Sequence, residues 1–249
     1  MKNKIAIVTG ALGGIGKCTV KKLQSEGFSV VAIDRVDNDN WSDGDVEPTL
    51  YLNKEVKCHS SAQDVLLAVR ELSDSVDLLV NMAGSFYTDD EIDQTPSLAL
   101  DLWSDNFLST YHMSNAFIPL LQKATTPMIV NIGSTDAIVA SAGQHCELGV
   151  CHDTYYSSTK GAVVTFSRCL AMKLAKKNIR VNVVCPTIVR TAMADSLLSI
   201  DNKEAELSEA IPLGRICEPV DVADAISSLY GMKMCTGHML PVDGGYLCK

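Results

Sequence analysis

At 249 residues with 47% apolar side chains, the chain can bury a sizeable core and lies within what one α/β domain occupies. Lysine and arginine number 21 against 30 acids, for a formal net charge of −9, and no basic run offers a footprint for nucleic acid or an anionic membrane. Residues 1–10 run into an apolar strand-like segment without a signal-peptide pattern, and no segment approaches about eighteen uninterrupted apolar residues, so a cytoplasmic protein without a membrane span is expected. The nine cysteines, an odd number scattered through apparent core segments such as Cys18, Cys58, Cys169 and Cys185, read as free thiols rather than a disulfide framework.

Short apolar runs alternate with longer amphipathic stretches, the pattern of βαβ units about a parallel sheet. Strands are predicted at about 4–9, 29–34, 55–59, 77–81, 127–133, 179–185 and 237–242, and helices at about 15–26, 61–73, 98–122, 154–177 and 218–230. Residues 36–54, rich in Asn and Asp and without clear periodicity, read as a loop. The expectation is a single-domain, doubly wound, Rossmann-like α/β fold over residues 1–249, layered α/β/α, with ligands at the carboxyl ends of the strands.

Thr9-Gly10-Ala11-Leu12-Gly13-Gly14-Ile15-Gly16 follows the first strand and opens the first helix. Glycines there let the chain approach a pyrophosphate whose charge sits at the helix N-terminus. The second strand ends in Asp34, where a carboxylate can accept hydrogen bonds from the hydroxyls of an adenosine ribose and meets a 2′-phosphate as like charge. Arg35 could pair with such a phosphate, but the glycine loop carries no basic residue, so NAD is expected over NADP. Further along, Tyr156 and Lys160 are four residues apart on a helical pattern and so share a face one turn apart, whereas Tyr155 points elsewhere. An ammonium beside a phenol stabilises the phenolate, which suits the pair to moving a hydroxyl proton.

The glycine pattern, Asn81-Met82-Ala83-Gly84, Asn106, Ser134, Tyr156-Ser157-Ser158-Thr159-Lys160, Asn182, Pro186, Pro212-Leu213-Gly214-Arg215 and Asp243-Gly244-Gly245 together resemble the short-chain dehydrogenase/reductase family over essentially the whole chain. The resemblance implies hydride transfer between a nicotinamide and a secondary alcohol or ketone, with Tyr156 as acid/base, Lys160 as its electrostatic partner, Ser134 orienting the reacting oxygen and Asn106 supporting a proton relay. It implies cofactor contacts from Thr9, Gly10, Leu12, Gly14, Ile15, Gly16, Asp34, Arg35, Asn81, Ala83, Gly84, Tyr156, Lys160, Pro186, Ile188 and Thr191. His59 and Ser60 stand where the family usually has an acid against the adenine. The chain also departs from the pattern at Met82 and at Thr187, which follows Pro186 where the family has glycine. Catalytically silent NAD binding, or epimerase or dehydratase chemistry, remains compatible with the resemblance.

Ser134 and Tyr156 are 22 positions apart, more than the family usually has, and the excess forms an insertion at about 143–154. His145, Cys146, Cys151 and His152 have zinc-ligand chemistry, but their spacing is not that of a usual zinc site, so no metal is assigned. The insertion is expected to shape substrate choice or contact another subunit. Residues 192–211, with Leu197, Leu198 and Ile200 in a polar pattern, are expected to form a lid that excludes water. The resemblance further implies a homo-oligomer, tetramer or dimer, built on the long helices.

Overall fold

The structure, a computed structural model, describes residues 4–37, 41, 47–139 and 153–248. Its centre is a seven-stranded parallel sheet formed by β1 (Lys4–Thr9), β2 (Phe28–Asp34), β3 (Leu50–Asn53), β4 (Leu78–Asn81), β5 (Met128–Ile132), β6 (Arg180–Pro186) and β7 (Met239–Val242). They lie in the order β3-β2-β1-β4-β5-β6-β7. The central strands are near-continuous Val/Ile/Leu runs because helices cover both of their faces.

Alternate residues divide the core. Ile5, Ile7, Leu79, Ile129 and Val181 pack under α2 (His59–Leu72), α5 (Ser109–Leu121) and α6 (Thr154–Leu174) through Val65, Val69, Met113, Phe117, Leu170 and Leu174. Ala6, Val8, Leu78, Val80, Val130 and Val184 pack under α1 (Gly14–Ser25) and α9 (Pro219–Gly231) through Val20, Leu23, Val222, Ile226 and Leu229. The expected three-layer arrangement is therefore observed.

The third strand falls earlier than predicted. Leu50, Tyr51 and Leu52 pair with Val31, Ala32 and Ile33, inside what reads as a loop, whereas residues 55–59 turn over the sheet end and enter α2 at His59. Cys58 caps that helix at its N-terminus with Ser61. The predicted helix at 98–122 is broken by a π-helical turn at Ser104–Leu108 between α4 (Ser97–Trp103) and α5. A short α3 (Asp89–Gln94), capped by a reciprocal Thr88–Glu91 pair, has no counterpart among the predicted elements. Beyond β6, α7 (Asp195–Leu198) and α8 (Lys203–Ala210) span most of the expected lid segment. No helix among the described residues is long and apolar enough to cross a membrane.

Candidate active site

Two adjoining cavities open at the carboxyl ends of the strands. A larger one of about 500 Å³ is walled by the glycine loop, Asp34, Arg35, Lys54, Glu55, Val56, Ala83 and Asp105. A smaller one of about 250 Å³ is walled by Ser85, Phe86, Ser134, Asp136, Asp153, Tyr156, Lys160, Pro186, Thr187 and Ile188. Ile15, Met82, Gly84, Ile132, Thr191 and Met193 line both, so the two are parts of one groove.

The glycine loop is dictated by close chain crossings. Gly10 has φ +65°, and a Cβ there would lie 2.9 Å from the Ala83 Cα. At Gly16 a Cβ would lie 2.2 Å from the Gly10 carbonyl oxygen. Thr9 joins the two crossing segments, its hydroxyl accepting the Met82 and Ala83 N–H groups at 3.1 Å each. The first helix carries no side-chain cap at Gly13 and no acid in its first turn, so its N-terminal N–H groups and positive dipole end are left for an anion. These residues fit the pyrophosphate of a dinucleotide.

Asp34 is held at the rim, its carboxylate accepting the N–H groups of Leu12 at 2.9 Å and Val36 at 3.3 Å. Arg35 is drawn sideways: its guanidinium lies 3.4 Å from buried Asp105 and 3.6 Å from Glu55, and Lys57 joins the same two acids at 3.3 and 3.0 Å. The structure does not bring His59 and Ser60 to the cavity. Because β3 ends at Asn53, both residues have already entered α2. There His59 is exposed with its ring against His112, and Ser60 meets the Cys58 thiol. Glu55 and Val56 line the wall instead, following directly on β3, whose short apolar run Leu50-Tyr51-Leu52 is the only sequence signal that the strand ends before them.

Asn81 lies behind the groove rather than on it. Its amide donates to Ser114 at 3.0 Å and to Asn131 at 2.8 Å. Asn106, carried on the π turn and almost fully buried, has its carboxamide bonded to both backbone groups of Ser85 and to the Thr159 hydroxyl. A Cβ on Gly84 would fall 2.6 Å from the Asn106 Oδ1 and 3.6 Å from the Lys160 Nζ, so the glycine lets these two groups approach.

Ser134 terminates β5 and caps the following 3-10 turn; its hydroxyl donates to the Asp136 carboxylate at 3.1 Å. Tyr156 and Lys160 lie on α6 with the Lys160 Nζ 5.6 Å from the phenol ring centroid, and the ammonium donates to the Ile132 carbonyl at 3.2 Å. Burial pushes the Lys160 ammonium down to about 8. The expected lowering of the phenol is not seen. Burial, and then the Asp136 carboxylate, raise the Tyr156 phenol well above its ordinary range, with the Ser134 hydroxyl bond acting in the opposite sense. At neutral pH this tyrosine holds its proton.

His145, Cys146, Cys151 and His152, with nearly all of the insertion at 143–154, lie outside the described residues. No group of metal-ligating side chains occurs among the described residues. Of residues 192–211, expected as a lid, Ala192 and Met193 reach the larger cavity and Met193, Ala194, Ser196, Leu197 and Leu207 the smaller, whereas Leu198 packs with Ile211 and Ile216 and Ile200 is exposed.

Residues 10–247 match a family model described as enoyl-(acyl carrier protein) reductase. Carbonyl reductase family member 4 of Xenopus laevis is 32% identical over 245 residues, covering 98% of each chain. A solved 3-ketoacyl-(acyl-carrier-protein) reductase of Brucella melitensis complexed with NADH is 26% identical with a TM-score of 0.81, covering 98% of each chain. The RhlG/NADP active-site complex of Pseudomonas aeruginosa is 26% identical with a TM-score of 0.83, covering 98% of this chain and 96% of that one.

Proposed function

The chain belongs to the short-chain dehydrogenase/reductase family, whose members are oxidoreductases acting on CH–OH groups, and we propose that it is an NAD(H)-dependent enzyme interconverting a secondary alcohol and a ketone. The observation that carries this reading is the single groove in which Tyr156, Lys160 and Ser134 adjoin a glycine-lined cradle of dinucleotide size.

The bound nicotinamide supplies or accepts the hydride at the carbon of the reacting oxygen. In reduction, Ser134 turns its single hydroxyl proton from Asp136 to the carbonyl oxygen and fixes that oxygen beside Tyr156. As charge develops on that oxygen the phenol O–H transfers its proton, so the ketone gains one hydride and one proton and becomes the alcohol. Lys160 stabilises the phenolate left behind, and Asn106, through Ser85 and Thr159, positions the segments on either side of the relay. In oxidation the same atoms move in the opposite direction. The remaining cofactor contacts are assigned to Thr9, Gly10, Leu12, Gly14, Ile15, Gly16, Asp34, Ala83, Gly84, Pro186, Ile188 and Thr191.

Preference for NAD over NADP is supported by the Asp34 carboxylate at the rim and by the existing acidic partners of Arg35. Homo-oligomerisation, dimeric or tetrameric, is supported by the outward apolar side chains Leu100, Tyr111 and Met172 on α4, α5 and α6. The free thiols of the described cysteines suit a cytoplasmic enzyme.

The test is Tyr156→Phe. Turnover of NADH with any accepted ketone is expected to fall by about 10² to 10⁴ while NADH affinity stays near that of the parent. Turnover held within about threefold of the parent would remove Tyr156 from the chemistry.

A further inference from the structure

The cavity beside Tyr156 is provided with acids that the hydride chemistry does not use. Among the described residues lining it, Asp136 and Asp153 are the carboxylates and Lys160 the one cation. Asp153 stands at the N-cap of α6, a position where an aspartate normally accepts N–H groups of the first turn. It makes no such bond. Asp89, reaching over from α3, does that work: its carboxylate accepts the Thr154 N–H at 3.0 Å, the Thr154 hydroxyl at 2.6 Å and the Tyr155 N–H at 3.4 Å. Asp153 is thereby released from its local duty, and its Oδ1 is buried on the cavity wall without a hydrogen-bond partner.

A second orphan lies on the same wall. Ser85 is only 7% exposed and has both backbone groups tied to Asn106, yet its hydroxyl oxygen has no partner. The next residue, Phe86, stacks edge-on against Tyr156 with ring centroids 5.2 Å apart, which fixes this strand-end segment beside the phenol. Buried polar atoms left unpaired are costly and call for a partner that arrives with a ligand.

We propose that this cavity takes a cationic substrate, an amino ketone or amino alcohol whose ammonium group is bound by the Asp153 carboxylate with the Ser85 hydroxyl as a second polar anchor. The proposal rests on the reading of Tyr156 as proton donor to a carbonyl. A carboxylate-bearing substrate would set a third negative charge beside Asp136 and Asp153. A neutral diol could hydrogen-bond but would leave the repulsion between these acids in place. An ammonium brings three N–H donors together with the missing positive charge. The carboxyl of Asp153, which burial and then Asp89, Asp136 and Glu91 hold near 7, is brought back to its ionised form by such a partner.

The experiment compares three methyl ketones that differ in one substituent: aminoacetone, hydroxyacetone and acetoacetate, reduced by the full-length enzyme with NADH. The expected order of kcat/KM is aminoacetone, then hydroxyacetone, then acetoacetate, with about tenfold or more between the first two, and Asp153→Asn is expected to cut that first ratio by at least about tenfold. Acetoacetate or hydroxyacetone used as well as aminoacetone, or a ratio unchanged in Asp153→Asn, overturns the proposal. Calorimetric titration of the enzyme–NADH complex with 1-amino-2-propanol gives a readout independent of turnover. Binding that Asp153→Asn weakens by about fivefold or more is expected, and no binding, or binding unchanged by the substitution, overturns it. Tyr156→Phe separates the two readings: loss of turnover with the amine still bound leaves both standing, whereas turnover retained in Tyr156→Phe removes the assigned chemistry and leaves charge preference to be judged on the ratios alone.

Discussion

The two ends of the groove are built from different materials. Around the glycine loop the walls are backbone and small side chains, the helix N-terminus is left uncapped, and the charged groups Arg35, Lys57, Glu55 and Asp105 neutralise one another. Around Tyr156 the walls are side chains, and two of their polar atoms, the Ser85 hydroxyl oxygen and the Asp153 Oδ1, are without partners. A cradle made of backbone accepts one invariant ligand and tolerates little substitution. A wall made of side chains can be retuned residue by residue without disturbing the fold, and that is where selection among substrates resides.

The largest effect expected from this contrast is at Gly16. Alanine there places a Cβ 2.2 Å from a backbone oxygen, so the loop must shift, at a cost of at least the roughly 1–3 kcal/mol of an overpacked site and with loss of NADH binding. Gly161 on α6, with nothing within 4 Å of an added Cβ, is the control: alanine should leave NADH binding intact and stabilise by up to about 1 kcal/mol. Chemical denaturation and NADH titration of both variants decide the matter, and equal effects at the two positions would break the comparison.

Next in size is Asp34. Its replacement by alanine is expected to weaken NADH by about 1.5–3 kcal/mol, for a lost hydrogen bond to a charged group, and to narrow the gap to NADPH. Fluorescence titration with the two cofactors measures both, and a parent protein that prefers NADPH would assign the rim to Arg35 instead.

On the substrate side, Asp89→Ala removes the surrogate cap of α6. A loss of about 1 kcal/mol is expected, read as about 2–4 °C in Tm, together with a change in relative kcat/KM among ketones because Asp153 is then free to turn to the helix end. A fall in Tm with an unaltered substrate profile would separate capping from selectivity.

A further effect is one of pH. The Asp153 carboxyl rises from 3.8 to about 7 on folding. Between these values the folded protein holds more protons than the unfolded chain, so this group's contribution to stability falls as pH rises through the window. Asp153→Asn is therefore expected to raise Tm by a few degrees above pH 7 and to leave it unchanged near pH 4, as followed by thermal melts across that range.

How far the sequence could be read follows the same division. The β1–glycine loop–α1 unit, the central strands, and the Tyr156–Lys160 spacing are legible because they rest on local backbone rules and on periodicity. The edge strand β3 is not, because four residues, three half-buried and one exposed, within a polar stretch give no alternation, and that slip carried the adenine-side reading from Glu55 and Val56 to His59 and Ser60. The π turn is likewise invisible, since one extra residue within a long amphipathic helix alters no local preference. Nothing in the sequence shows that Asp89 rather than Asp153 serves the N-terminus of α6, because that contact spans the fold.

The hydrogen-bonded pair Asn81 and Asn131 lies where β4 and β5 run side by side, one end extended by Ser114 and the other by Ser167. Strands that are Val, Ile and Leu on both faces have little to distinguish a correct alignment from one displaced by a residue, since either buries comparable oil. The two amides supply the missing information. Shifted by one position, Asn81 would face Val130 or Ile132, and polar groups sealed under two helix layers would lose their partners. The pair works as a key cut into an otherwise featureless shaft: it admits one alignment of the half that holds the cofactor with the half that holds the substrate.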